Sequence, residues 1–123
     1  MIKKIEHNQI PFLENKECKK LGIIFSKKYQ YLGYFDSNGN IIGVVGWKIL
    51  KSSFYLGGSY VDETSRFKGI YTKLNKERLK YMKGKTITAN CTKNSLPFHI
   101  RNGAKIIKEY KNGITKIIYE TNI

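Results

Sequence analysis

The sequence predicts a mixed α/β protein built on one central sheet, an antiparallel meander plus one parallel pair, flanked by helices. Three observations carry this. Strand-forming runs follow one another from Tyr29 to Val61, with tight-turn signals between them. A strand, a helix and a second strand then span Phe54 to Cys91, which makes the two strands parallel through a right-handed crossover. A last hairpin closes across Asn112-Gly113. The 123 residues fit one domain, 1–123, large enough for a core without staples.

Met1 to Glu6 alternates and reads as a short edge strand. Pro11 to Leu21 reads as a helix, with Pro11 in its first turn and Gly22 as its stop. Ile23-Ile24-Phe25 and Tyr29 to Phe35 read as strand. Asp36-Ser37-Asn38-Gly39 is a turn, and Asn40 to Leu50 is the partner strand. Lys51-Ser52 turns the chain into Phe54–Val61, where Gly57-Gly58 signals a bulge or a close backbone approach. Ile70 to Lys83 holds good helix formers and no Gly or Pro, and Gly84 stops it. Ile70, Tyr71, Leu74, Tyr81 and Met82 share one face, and Arg78 interrupts it, either snorkelling or meeting an acid. Thr86 to Cys91 is a strand. Asn94 or Ser95 caps a short helix running to about Asn102, with Pro97 in its first turn and Gly103 at its end. Lys105–Tyr110 and Ile114–Tyr119 form the final hairpin.

The stretch with chemistry in it is Arg66-Phe67-Lys68-Gly69-Ile70-Tyr71, between the Tyr60-Val61 strand end and the helix. A helix starting at Gly69 turns free backbone N–H groups and the positive end of its dipole toward the loop, a site for an anion. Gly69 lets the backbone approach closely, Arg66 and Lys68 add charge, and Arg66 can grip a phosphate with two hydrogen bonds. The competing reading is a basic helix start on an ordinary surface.

Net charge is +14, which invites a polyanion such as nucleic acid. Against that, the only arginines are Arg66, Arg78 and Arg101. The Lys-, Ile-, Asn- and Tyr-rich mix is also what an AT-rich genome produces without selection for binding. Cys18 and Cys91 lack metal-ligand spacing, and no signal peptide or bilayer-spanning run is visible. A reduced, cytoplasmic setting, no membrane partner and no metal are expected.

With these elements in place, the chain resembles the GNAT superfamily of N-acetyltransferases. Arg66 to Tyr71 resembles its (Gln/Arg)-x-x-Gly-x-(Gly/Ala) acetyl-CoA loop. Tyr60-Val61 falls where the family's backbone pairs with the pantetheine arm. Asn94 to Ala104 resembles the family's Asn-x-x-(Ala/Ser)-x-x-(Phe/Leu)-(Tyr/His)-x-x-x-Gly-Phe helix, one or two residues shorter at its start. Tyr71 stands where a second small residue is usual, Ala104 where Phe is usual, and His99 where Tyr is frequent.

The resemblance implies an acyl-CoA N-acyltransferase fold and acetyl transfer from acetyl-CoA to a primary amine by direct attack in a ternary complex. It implies cofactor contacts from Tyr60, Val61, Arg66, Phe67, Lys68, Gly69, Ile70, Tyr71, Asn94 and Phe98. The Val61 N–H is the candidate for polarising the thioester. His99 is the candidate acid for the leaving thiolate, or a packing residue; Glu63, with Asp62 beside it, is the candidate base, or a solvated loop acid. Tyr55 and Tyr60, on opposite faces of one strand, are candidates for the wall of the acceptor cleft, with one of the two expected in the core; Trp47 is a candidate for core or wall, and His7 for plain surface. The acceptor class is open: small amine, protein amine, or an amino group associated with nucleic acid, as in small phage-type members. The alternative is a non-catalytic basic module on the same scaffold, binding nucleic acid or protein.

Overall fold

The computed structural model describes residues 1–82, 84 and 86–120. Seven strands form one sheet in the order β1-β2-β3-β4-β5-β7-β6: β1 Ile2–Ile5, β2 Gln30–Phe35, β3 Ile41–Ile49, β4 Ser53–Val61, β5 Thr86–Cys91, β6 Lys105–Glu109 and β7 Thr115–Tyr119. The helices are α1 Lys16–Leu21, α2 Ile70–Leu79 and α3 Leu96–Arg101. β1 and β2 are antiparallel, as are β2 and β3. β4 and β5 are the parallel pair, registered from Ser53↔Thr86 to Leu56↔Ala89. This is the mixed sheet that the sequence predicts. The order at its far edge is new: β7 lies between β5 and β6.

The chain divides into two compact units: Met1–Lys48 with Gly57–Tyr81, and Ile49–Leu56 with Met82–Ile123. β4 contributes to both.

In the first unit Ile5, Ile10, Phe12, Cys18, Tyr31, Val44 and Tyr60 form a core. Phe12 meets the Tyr60 ring edge-on, with centroids 4.9 Å apart. Helix α1 starts later than Pro11, because Asn15 accepts a hydrogen bond from Cys18 N at 3.0 Å and so caps it. Its other end is Gly22, in the left-handed region at φ 74°. Ile23-Ile24-Phe25 is not a strand. Ile23 N closes the end of α1 on Cys18 O, Ile24 is exposed, and Phe25 O holds His7 Nε2 at 3.0 Å. His7 is therefore half-buried rather than plain surface. Gly57-Gly58 is a place of close approach: Gly58 has φ +63°, and the Tyr29 and Tyr31 rings lie on the two glycines where side chains would stand.

α2 ends at Leu79. Lys80 N and Tyr81 N bond back three residues, to Glu77 O and Arg78 O, tightening the last turn. Tyr81 then stacks on the buried Trp47, ring centroids 5.2 Å apart, instead of continuing the helix. The predicted helix to Lys83 therefore overshoots: Lys80, Tyr81 and Met82 are not helical, and Lys83 lies outside the described residues.

The second unit has its own buried set, with Phe54, Leu56, Met82, Ile87, Ala89, Cys91, Ile117 and Tyr119. Thr88 Oγ1 donates to Phe54 O at 3.4 Å across the parallel pair. The closing hairpin has Gly113 at φ 85° and Asn112 Oδ1 accepting from Ile114 N, as its Asn-Gly pair predicts. Among the described residues no helix is long and apolar enough to cross a membrane.

Candidate active site

The loop leaves β4 through Asp62. Asp62 N donates to Ile42 O on β3 at 2.8 Å. Alternation along the strand then turns the N–H and C=O of Val61 away from β3. Val61 O is engaged there, accepting from Arg66 Nε at 3.0 Å. A short 3-10 turn, Glu63–Ser65, follows, with Thr64 Oγ1 donating to Asp62 Oδ2 at 2.6 Å. Glu63 is exposed.

Phe67 has φ +64°, the non-glycine residue recorded at positive φ among the described residues, and its ring is fully exposed. A backbone held there without side-chain contacts is strained by about 1 kcal/mol or more. Gly69, at φ 76°, is the N-cap of α2. The first bond within the helix is Lys73 N to Gly69 O, at 3.1 Å. The front amides of the helix therefore point toward the loop. A Cβ on Gly69 would meet nothing within 4 Å. Glycine is there for its backbone conformation and for the open space in front of it. Lys68, beside it, is exposed. The arrangement can hold an anion by main chain, with the helix dipole and one lysine adding to the field.

Arg66 does something other than the sequence suggests. Its fork is on Glu17 of α1: Nη2 donates to Oε1, and Nη1 to Oε2 at 3.4 Å. Tyr60, buried, donates its hydroxyl to the same carboxylate at 2.6 Å, and the guanidinium lies 5.2 Å from the Tyr60 ring centroid. The Arg66 hydrogen bond, then that of Tyr60, hold the Glu17 carboxyl below its ordinary range. Burial, then the Glu17 contact, push the Tyr60 hydroxyl up to about 12. The bidentate grip assigned to a phosphate is thus made on a side chain 49 positions earlier in the chain. No local signal identifies Glu17.

Tyr71, the bulky residue in the loop motif, accepts a hydrogen bond from Arg78 Nη2 at 3.2 Å, two turns along the helix. Arg78 is completely buried. Its remaining N–H groups reach Asn75 Oδ1 (from Nε at 3.2 Å and from Nη2), Gly46 O on β3 at 3.1 Å and Ser59 Oγ on β4 at 2.9 Å. All five N–H groups find an oxygen, and none of the oxygens is a carboxylate. Arg78 neither snorkels nor meets an acid. The Tyr71 hydroxyl is committed to this network.

The second unit holds the other candidates. α3 begins after Ser95, whose side chain makes no cap bond; Asn94 is exposed. Half-buried Phe98 meets His99 edge-on, with centroids 5.3 Å apart. His99 is 4% exposed, and its Nδ1 lies 2.6 Å from the Tyr119 hydroxyl. This is a packed position, with the imidazole turned to β7. Tyr55 is half-buried, its hydroxyl pushed up by burial and bonded to Asn90. Trp47 is core.

The chain has the acyl-CoA N-acyltransferase fold of GNAT acetyltransferases. It matches the solved structure of a PaiA N-acetyltransferase from Thermoplasma acidophilum in complex with coenzyme A, at TM-score 0.77 and 18% identity over 98% of each chain. It also matches ElaA of Escherichia coli, at TM-score 0.76 and 11% identity, and an IAA acetyltransferase from Bacillus cereus, at 0.76 and 16%. Each of these covers 98% of this chain and 99% of the other. No family model and no curated protein matches the sequence.

Proposed function

We propose that this protein is an acetyl-CoA-dependent N-acetyltransferase whose acceptor is a primary amine. The observation that carries the reading is Gly69: a left-handed N-cap with open space before it, at the head of α2, one short loop after the end of β4. The loop residues fit a diphosphate, through the front amides of α2 and Lys68, without the Arg66 fork. The match to a coenzyme A-bound acetyltransferase supports the same ligand.

Acetyl-CoA would supply the activated acetyl thioester. Tyr60 and Val61 would pair by main chain with the carrier's arm, and the Val61 N–H would polarise the thioester oxygen. Phe67 contributes backbone to the loop and Ile70 and Tyr71 to the first turn of α2, while the assignment of Asn94 and Phe98 to the carrier rests on the resemblance alone. Glu63, exposed at the end of β4, is assigned as base for the ammonium. The acid role of His99 rests on the resemblance alone; its burial against Tyr119 favours packing. The net charge of +14 favours an acceptor or partner with negative charge, nucleic acid included.

Acetyl-CoA should raise the melting temperature in a dose-dependent way, and calorimetry should give one site per chain. No shift and no heat would end the reading. Binding of nucleic acid that collapses with salt, without any response to coenzyme A, would point to the non-catalytic basic module instead.

A further inference from the structure

We infer that Glu17 is a positioning residue for the anion loop, acting through Arg66; the inference rests on the function proposed above. The loop must hold Phe67 in a strained conformation, and the Phe67 side chain touches nothing that could hold it. Strained backbone persists only where its surroundings over-determine it. Behind Phe67 stands the α2 start. Ahead of it stands Arg66, tied at one end to Val61 O and at the other to Glu17, under a side chain about a third exposed. Glu17 is in turn fixed by the Tyr60 hydroxyl. The carboxylate therefore joins three elements: α1, the end of β4 and the loop. Its removal frees the fork and with it the course of residues 62–69.

This predicts an effect opposite in sign to simple electrostatics. Glu17 is a negative charge beside an anion site, so neutralising it should tighten anion binding if charge alone mattered. If Glu17 aims the loop, neutralising it weakens binding. Glu17→Gln keeps the side chain's size and one acceptor oxygen. Its dissociation constant for coenzyme A should rise about tenfold, the worth of a lost charge-assisted hydrogen bond. Glu14→Gln removes the same charge from an exposed ion pair with Lys19, three residues earlier. Its affinity should stay at the wild-type value. Arg66→Lys, which keeps the charge and loses the fork, should weaken binding in step with Glu17→Gln, and it serves if Glu17→Gln fails to fold. Amide hydrogen exchange without ligand is the second readout: amides of 62–69 should exchange faster in Glu17→Gln than in Glu14→Gln. Tighter or unchanged coenzyme A binding in Glu17→Gln, or unchanged exchange, overturns the inference. If the wild type itself binds no coenzyme A, the proposed function fails, and the positioning role stands or falls on the exchange rates.

Discussion

The first unit contains two arginines, at the two ends of one stretch, and they satisfy their charges in different ways. Arg66 is partly exposed, ahead of α2, and takes a carboxylate, Glu17, and a carbonyl. Arg78 is completely buried in the last turn of α2 and takes neutral oxygens on every N–H. The difference follows from solvent. At a half-wet site an ion pair loses little hydration and can break and reform. In the interior, burying a carboxylate as well would add a second large desolvation cost, and four neutral oxygens in the right places, Asn75 Oδ1 accepting twice, avoid it. Arg66 thus holds its loop by contacts open to water, and Arg78 fastens α2 onto β3 and β4 by contacts sealed from it.

The largest expected effect lies at the fixed end. Arg78→Met should leave Gly46 O, Ser59 Oγ, Asn75 and Tyr71 with fewer partners and destabilise the protein by about 3 kcal/mol. The readout is the urea midpoint, with the denaturant slope unchanged. A loss no larger than that of Arg66→Met would erase the contrast between the two sites. Next comes the loop. Gly69→Val forces a β-branched residue to φ 76° and puts its methyls where an anion would sit. It should abolish coenzyme A binding while costing roughly 1–2 kcal/mol of stability; retained affinity in calorimetry would remove the backbone grip.

In the second unit, His99→Phe is expected to lower the melting temperature through lost packing, and slowed turnover with coenzyme A affinity nearly intact would restore the acid role. Unchanged turnover with a lower melting temperature would assign His99 to packing against Tyr119. The smallest effect is a pH dependence at the tether. The Glu17 carboxyl is held below its ordinary 4.5 by Arg66 and Tyr60, so it contributes stability above that pH and loses it as the pH falls through the lowered folded value. The melting temperature of the wild type should drop more steeply below pH 4.5 than that of Glu17→Gln, and parallel curves would mean the tether carries no stability.

Where the sequence reads correctly, the signal is local. The Thr86–Cys91 strand, the Asn-Gly turns and the glycine at the head of α2 each follow from the conformational needs of a few adjacent residues. Where it misreads, a competing contact lies close by but outside the pattern. Asn15 caps α1 four residues after Pro11, and Tyr81 leaves the helical stripe to stack on Trp47. Ile23-Ile24-Phe25 has strand-like composition, yet its backbone closes the end of α1 and holds His7.

By itself the amino-acid sequence determined the sheet class, the parallel pair and the glycine at the head of α2, because periodicity and glycine geometry are properties of short segments. The partners of the charges were decided only in three dimensions. Glu17 lies 49 residues from Arg66, and Gly46 and Ser59 lie 32 and 19 residues from Arg78. A guanidinium can choose any oxygen within reach, and which oxygens are within reach is known only once the strands have paired.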